Sequence, residues 1–176
     1  MYMRFLFTII LLFLLSSTSC SSKKKPIVEV EWTKEKSMEL NKTIALEEKV
    51  AIKLFLAQHS TWKMIETGSG LQYYIYEQGV GAIPKIGSVV DIEYSIKMLN
   101  GTLCYETEKD EVIEVVIDHS QVETGVQEGL KKMKQGDRAK MIIPSHLAHG
   151  LSGDLDKIKP LTPIVVDIYL NEIIKW

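Results

Sequence analysis

The chain has 176 residues, with 21 lysines and arginines against 23 aspartates and glutamates and a formal net charge of −2. That near balance, without an arginine-rich face, leaves no electrostatic footprint for nucleic acid. With only two cysteines, Cys20 and Cys104, a disulfide framework is excluded as the source of stability.

The first 19 residues have the form of a secretion signal: Arg4 supplies the positive start and Phe5 to Leu15 an apolar run. The run is too short to cross a membrane, which takes about 20 residues. Ser16-Ser17-Thr18-Ser19 lead into Cys20, the pattern of a bacterial lipoprotein cut before a cysteine that then carries the lipid, although Ser17 stands where leucine is usual. Residues 1–19 are therefore expected to be a signal peptide, and 20–36 a lipidated cysteine and linker. Several acyl chains on Cys20 would hold the protein firmly to a membrane, since a single chain binds only marginally. Lys23-Lys24-Lys25 suit a solvated tether beside lipid headgroups. The absence of acidic residues just after Cys20 favours a periplasm-facing lipoprotein of a bacterial cell envelope. With Cys20 lipidated, Cys104 has no partner for a disulfide, and its setting between Leu103 and Tyr105 suits a buried thiol.

Residues 37–67 form a helical segment, with the helix itself expected from about Met38 to His59. Leu40, Ile44, Val50, Ala51, Leu54 and Phe55 share one face, and Ile52 and Leu56 extend the apolar surface beyond it. That stripe needs a cover, either the following domain or a second copy in a homodimer through residues 38–59.

Gly68-Ser69-Gly70 breaks the chain and opens a domain over 68–176. Leu71, Tyr73 and Ile75 alternate as a strand. Gly79-x-Gly81 lacks the third glycine and the following helix of a phosphate site. Val90, Ile92, Tyr94, Ile96 and Met98 alternate with polar residues, Asn100-Gly101 signals a hairpin, and a short strand follows. Asp110 and Glu111 suit a solvated loop, and Ile113, Val115 and Ile117 alternate again. Val122, Val126, Leu130 and Met133 then fall on one face of a short helix, in which Gly125 and Gly129 permit close approach to another backbone. Lys134-Gln135-Gly136-Asp137 turns the chain into a strand through Ala139, Met141 and Ile143, ended by Pro144. The last strand carries Ile164, Val166, Ile168 and Leu170, with Pro163 at its first position. This order predicts an α+β fold, an antiparallel sheet wrapped around the short helix.

The residues Gly125-Val126-Gln127-Glu128-Gly129-Leu130, Met133, Gly136-Asp137-Arg138-Ala139 and Ile143-Pro144-Ser145-His146-Leu147-Ala148-His149-Gly150 resemble the signature of the FKBP-type peptidyl-prolyl cis-trans isomerases, the macrolide-binding immunophilins. The resemblance covers Leu71 to Trp176. It implies the FKBP-like fold, prolyl isomerase activity on proline-containing polypeptides, and neither a cofactor nor a metal. A narrower likeness, to Bacteroidota isomerase lipoproteins including those associated with gliding motility, rests on the preceding helix, Cys104-Tyr105 and the Ser145–Gly150 corner.

The resemblance also implies a substrate pocket. Tyr94 matches a tyrosine of its wall. Cys104-Tyr105 stand where the family has Phe-Asp, and Ile113 and Val115 replace two aromatics. Val122 matches an aliphatic, and the backbone N–H of Glu123 sits where the family binds the substrate carbonyl. Val126 replaces the tryptophan of the floor, His149 a tyrosine, and Val166 a phenylalanine. Ile158, in the loop Lys157–Pro160, keeps a family aliphatic. The expected pocket is apolar but short of rings, which implies weak turnover, poor macrolide binding, or a binding module without much catalysis. His146-x-x-His149 has ligand spacing but no third ligand, Ser145 has no nucleophile elbow, and His59 and His119 suit the surface.

Overall fold

The structure, a computed structural model, describes residues 32–108 and 111–175. The signal segment, Cys20, the lysine tether and Asp110 lie outside the described residues. Two compact units form, residues 1–34 and 35–176, and only 32–34 of the first are described.

Helix α1 runs over Lys34–Gln58. Seven strands follow: β1 (Ile65–Glu66), β2 (Gln72–Glu77), β3 (Val89–Met98), β4 (Leu103–Glu106), β5 (Ile113–Val116), β6 (Arg138–Ile143) and β7 (Ile164–Lys175). Helix α2 (Thr124–Leu130) lies between β5 and β6, and a 3-10 turn, η1 (Ser145–Leu147), follows β6. The strands make one antiparallel sheet in the order β1-β2-β6-β7-β3-β4, with β5 also on β3. The expected α+β architecture is present. Strand β1 was not foreseen, because two exposed residues carry no periodicity.

Alternation sorts the side chains onto two faces. Ile92, Ile96, Ala139, Met141, Ile143, Val166, Ile168 and Leu170 turn inward and form the core with Val126, Leu130 and Met133 beneath α2. Ile142 and Val165 turn outward, where they meet Ile52 of α1 and the half-buried Phe55, Leu56 and Trp62. Thus α1 docks on its own domain, but through a different face from the one its apolar residues suggest. Leu40, Val50 and Leu54 stay exposed, as does Leu46. The docking line is Glu48, Ile52, Leu56 and His59, spaced for one helical face. His59 is correspondingly not a bare surface residue: its ring stacks on Phe55 at 4.1 Å and lies 4.5 Å from Trp62.

The signature residues each have a mechanical task. A Cβ on Gly125 would lie 2.3 Å from Cγ2 of Ile143, and one on Gly129 2.3 Å from Sδ and Cε of Met141. The close approach is therefore to side chains of β6, not to another backbone as the spacing suggests. Gln127 is buried; its amide oxygen accepts the Asp118 N–H at 2.9 Å and its nitrogen donates to the Ser120 carbonyl at 3.3 Å, fixing the entry to α2. Asp137, also buried, accepts the N–H groups of Lys134 at 2.7 Å and Gly79 at 2.6 Å. The two glycines of the 79–81 loop serve this junction: a Cβ on Gly79 would meet the Gln135 carbonyl at 2.2 Å.

These contacts rank two substitutions. Gly125→Ala should destabilise by about 1–3 kcal/mol, the range for overpacking against a stiff β-branched neighbour. Gly129→Ala should cost less, because the far end of Met141 can swing aside. Urea unfolding of the two variants checks the order; equal loss contradicts it.

Candidate functional site

The long β3–β7 pairing builds one wall of a cavity. Its register sets Tyr94 beside Ile168 and Ile96 beside Val166, while β5 brings Ile113 beside Ile92. All six line a cavity of about 260 Å3 over α2. Val122, Glu123 and Val126, at the start of α2, form its floor. Tyr105 of β4, His149 of the Pro144–Gly150 corner and Asp154 of the following loop close its sides.

Of the residues singled out from sequence, the structure brings Tyr94, Tyr105, Ile113, Val122, Glu123, Val126, His149 and Val166 to this cavity. It does not bring Cys104, Val115 or Ile158 there. Cys104 and Tyr105 are neighbours on a strand and point oppositely, so only one can face the cavity. Val115 shares a face with Ile113 but sits deeper and is fully covered. Ile158 is drawn into the core by the loop that carries it. Burial pushes the Cys104 thiol up, and Asp154 adds to the rise, so the sulfur is a protonated core group rather than a nucleophile.

Four lining residues were missed. Ile92, Ile96 and Ile168 were legible, since they alternate with Tyr94 and Val166. Asp154 was not. Its loop has no periodicity, and it reaches the cavity only because Gly153, at φ +68°, allows a turn so tight that a Cβ there would lie 2.2 Å from the Ile158 carbonyl. The Asp154 carboxylate accepts the N–H groups of Asp156 at 2.9 Å and Ile158 at 2.8 Å, and the Tyr105 hydroxyl at 2.5 Å. The carboxylate missing beside Cys104 is thus supplied by the loop that bonds to Tyr105.

Charge in the cavity is concentrated on a few groups. Burial alone would raise the Asp154 pKa, but the Tyr105 hydroxyl, the two N–H groups and His149 outweigh it and hold the pKa down at about 2. The bond to Asp154, with burial, pushes the Tyr105 phenol up to about 12. Burial pushes the Tyr94 phenol up as well, and the carboxylates of Glu123 and Glu111 add to it. His149 Nε2 stands 3.1 Å from Oε1 of Glu123, in ion-pair range. The approach is not aligned as a hydrogen bond, so Nε2 is a buried polar atom without a hydrogen-bond partner. His146 is turned elsewhere, its Nε2 lying 3.0 Å from the Ser69 carbonyl oxygen. The two histidines of the corner therefore do not converge.

A cavity walled by the central strands and floored by the start of the short helix, joined to the signature from Gly125 to Gly150, decides the family. The pattern of the FKBP-type peptidyl-prolyl cis-trans isomerases matches residues 81–171, more than half of the chain. The chain belongs to the FKBP-type peptidyl-prolyl cis-trans isomerase family. A probable FKBP-type isomerase of Neisseria meningitidis serogroup B, FkpA, is 34% identical over 139 residues, which is 78% of this chain and 51% of that protein. The outer membrane protein MIP of Legionella longbeachae is 33% identical over 141 residues, 80% of this chain and 60% of that one. The crystal structure of FkpA from Escherichia coli superimposes with a TM-score of 0.64 at 27% identity, covering 78% of this chain and 63% of that chain. This FKBP-type chain spans about half the length of the Neisseria relative.

The Tyr105–Asp154 bond has a pH signature. A carboxylate whose folded pKa is depressed stabilises the fold fully above its ordinary pKa of about 3.9, and the stabilisation is lost as pH falls through about 2. Tyr105→Phe removes the donor, so the Asp154 pKa should rise, the carboxylate's contribution to stability should shrink, and its loss should be complete at higher pH. NMR titration of the Asp154 carboxyl carbon in both proteins checks this; an unchanged midpoint contradicts it.

Proposed function

We propose that the chain is a peptidyl-prolyl cis-trans isomerase, or folding factor, for envelope proteins, acting on proline-containing polypeptides in the cavity over α2. The observation that carries the reading is that the cavity is open and largely apolar rather than plugged by its own side chains. The barrier to rotation, about 18–20 kcal/mol, comes from amide resonance. The planar amide is the more dipolar state, so water holds it planar. An apolar slot that takes the proline ring and excludes water lowers the cost of twisting. No covalent step is needed. Tyr94, Tyr105, Ile113, Val122, Val126 and Val166 would hold the ring and its flanks, and the Glu123 backbone N–H would bind the carbonyl. His149 would contribute its ring to the side of the slot.

The lining explains the expected weakness of turnover. Its only carbocyclic rings are Tyr94 and Tyr105, and an aromatic side chain buries about 150–250 Å2 where valine buries far less. The volume also lies below the range of about 300–1,000 Å3 for small-molecule sites, which argues against tight macrolide binding. The same loss of rings favours the second reading, a binding module that holds an extended segment without much catalysis.

Turnover of a proline peptide, followed by exchange NMR, should be detectable but well below that of a relative with an aromatic floor, and Val126→Trp should raise it. No turnover in either protein, with capture of an unfolded client retained, supports the binding module instead. Calorimetry should show weak macrolide binding; tight binding contradicts the narrow slot.

The envelope placement is part of this proposal. It is supported by the leader up to Ser19, by Cys20, and by a relative named as an outer membrane protein. Among the described residues no helix is long and apolar enough to cross a membrane. The anchor we assign is the lipid on Cys20, facing the periplasm. The likeness to Bacteroidota lipoproteins fits the Cys104-Tyr105 pair and the corner sequence, and a homodimer through residues 38–59 fits the exposed Leu46, Val50 and Leu54. Radiolabelled palmitate should enter the native protein and not Cys20→Ser; equal labelling removes the anchor.

A further inference from the structure

Besides His149, the corner that borders the cavity holds a second polar feature. Ser145 begins η1 directly after Pro144, and no side chain of the turn itself caps its N–H. The cap comes from α1, far away in sequence. One carboxylate oxygen of Glu48 accepts the Ser145 N–H at 2.5 Å, and the other accepts its hydroxyl at 2.7 Å. Ser145 is 3% exposed. Both of its donors therefore end on one carboxylate in a place where water cannot substitute freely.

What Glu48 fixes is connected to the cavity by short, stiff steps. The Ser145 carbonyl accepts the N–H of Ala148 at 3.0 Å and of Gly150 at 2.8 Å, bracketing His149. The Pro144 carbonyl accepts the N–H groups of Leu147 and Ala148, and the Gly150 carbonyl accepts that of Leu161. Rotation or displacement of Ser145 is thereby passed to the residue whose ring faces Glu123. Leu147 and Ala148 pack the corner against the core, but α1 adds little packing to it. Between α1 and the corner lies a hollow of about 150 Å3, bordered by Ala45, Ile52, Pro144 and His146 among others, so the two are joined there by the Glu48 bonds across an incompletely filled seam.

We infer that Glu48 is a positioning residue of the cavity: from the N-terminal helix, it sets the corner that places the His149 imidazole over the substrate site. The inference rests on the isomerase reading for its effect on turnover, but not for its effect on the ring. Ile52, one turn further along α1, anchors the helix to Ile142 and Val165 on the outer face of the sheet, and Glu48 reaches past the end of β6 to the corner. The helix thus touches the cavity indirectly, from the opposite side of the sheet.

The test uses the full chain and two substitutions at Glu48. In Glu48→Ala the His149 ring cross-peak in a carbon–proton NMR spectrum should shift or broaden, and kcat/KM on a prolyl peptide should fall about tenfold, as displacement of a binding group predicts. Glu48→Gln, which keeps an acceptor for the Ser145 N–H, should restore the cross-peak and bring the rate within about twofold of native. If Glu48→Ala does not fold, Ser145→Ala removes only the hydroxyl bond and should move the same cross-peak by a smaller amount. A His149 cross-peak that stays native in a folded Glu48→Ala or in Ser145→Ala overturns the inference. A native protein that turns over no prolyl peptide counts against the isomerase reading alone, because the ring position is read without substrate.

Discussion

Gly125 and Gly129 let α2 lie directly on Ile143 and Met141, and the remaining geometry follows from that contact. A larger residue at Gly125 would press on the stiff side chain of Ile143, and one at Gly129 would displace the end of Met141. With the helix down, its buried face of Val126 and Leu130 completes the core, and its first turn is left at the level of the strands' inward side chains. The cavity is the space between that first turn and the β3–β7 wall. Its floor is therefore a consequence of where two missing Cβ atoms allow a backbone to go, and Gln127 and Asp137 pin the two ends of the segment so that the approach cannot slide.

On this frame the polar groups are few and each is fixed by neighbours. Asp154 is held by two N–H groups of its own loop and by Tyr105, which makes the loop and β4 a single wall. Tyr105, in turn, takes the position where the resemblance implies an aspartate, and the acid appears on the adjoining loop. The exchange keeps a carboxylate at the cavity while moving it from a strand to a loop. His149 and Glu123 sit across the opening from one another, close enough to attract but not aligned to bond.

Much of this was legible from residue order. Strict alternation located β3, β6 and β7, and the positions of Gly125, Gly129 and Gly136-Asp137 located α2 and its turn, because both signals are local and periodic. Alternation also carried the information that Ile92 and Ile96 accompany Tyr94. What was hidden depends on contacts between distant segments. The apolar residues of α1 point to a face through Leu40, Val50 and Leu54, yet the helix docks through Ile52 and Leu56, because Ile142 and Val165 offer only a small outward patch and the helix must also deliver Glu48 to Ser145. Asp154 was hidden for a similar reason: nothing in a loop without period says that a tight turn at Gly153 will aim a carboxylate back at β4. Cys104, Val115 and Ile158 show the converse. Family position put them in the pocket, whereas burial depth, which a motif does not carry, puts them behind its wall.

Twisting an amide requires no group to be protonated, attacked or ligated, only a site that favours the less dipolar state, and a lining poorer in rings still meets that condition. Ring-for-aliphatic replacements at Val126, Ile113 and Val166 leave the interior apolar, so the exclusion of water survives them. On the proposed isomerase reading they would alter how tightly a proline ring is gripped, changing binding and rate by degrees. The frame is less forgiving: the space beside Ile143, the buried carboxylate of Asp137 and the turn at Gly136 hold α2 and β6 in the positions that leave the cavity between them. A family resemblance carried by Gly125, Gly129 and Gly136-Asp137 therefore reports the scaffold, whereas the shape and polarity of the slot are set separately by Tyr94, Val126, His149 and Asp154.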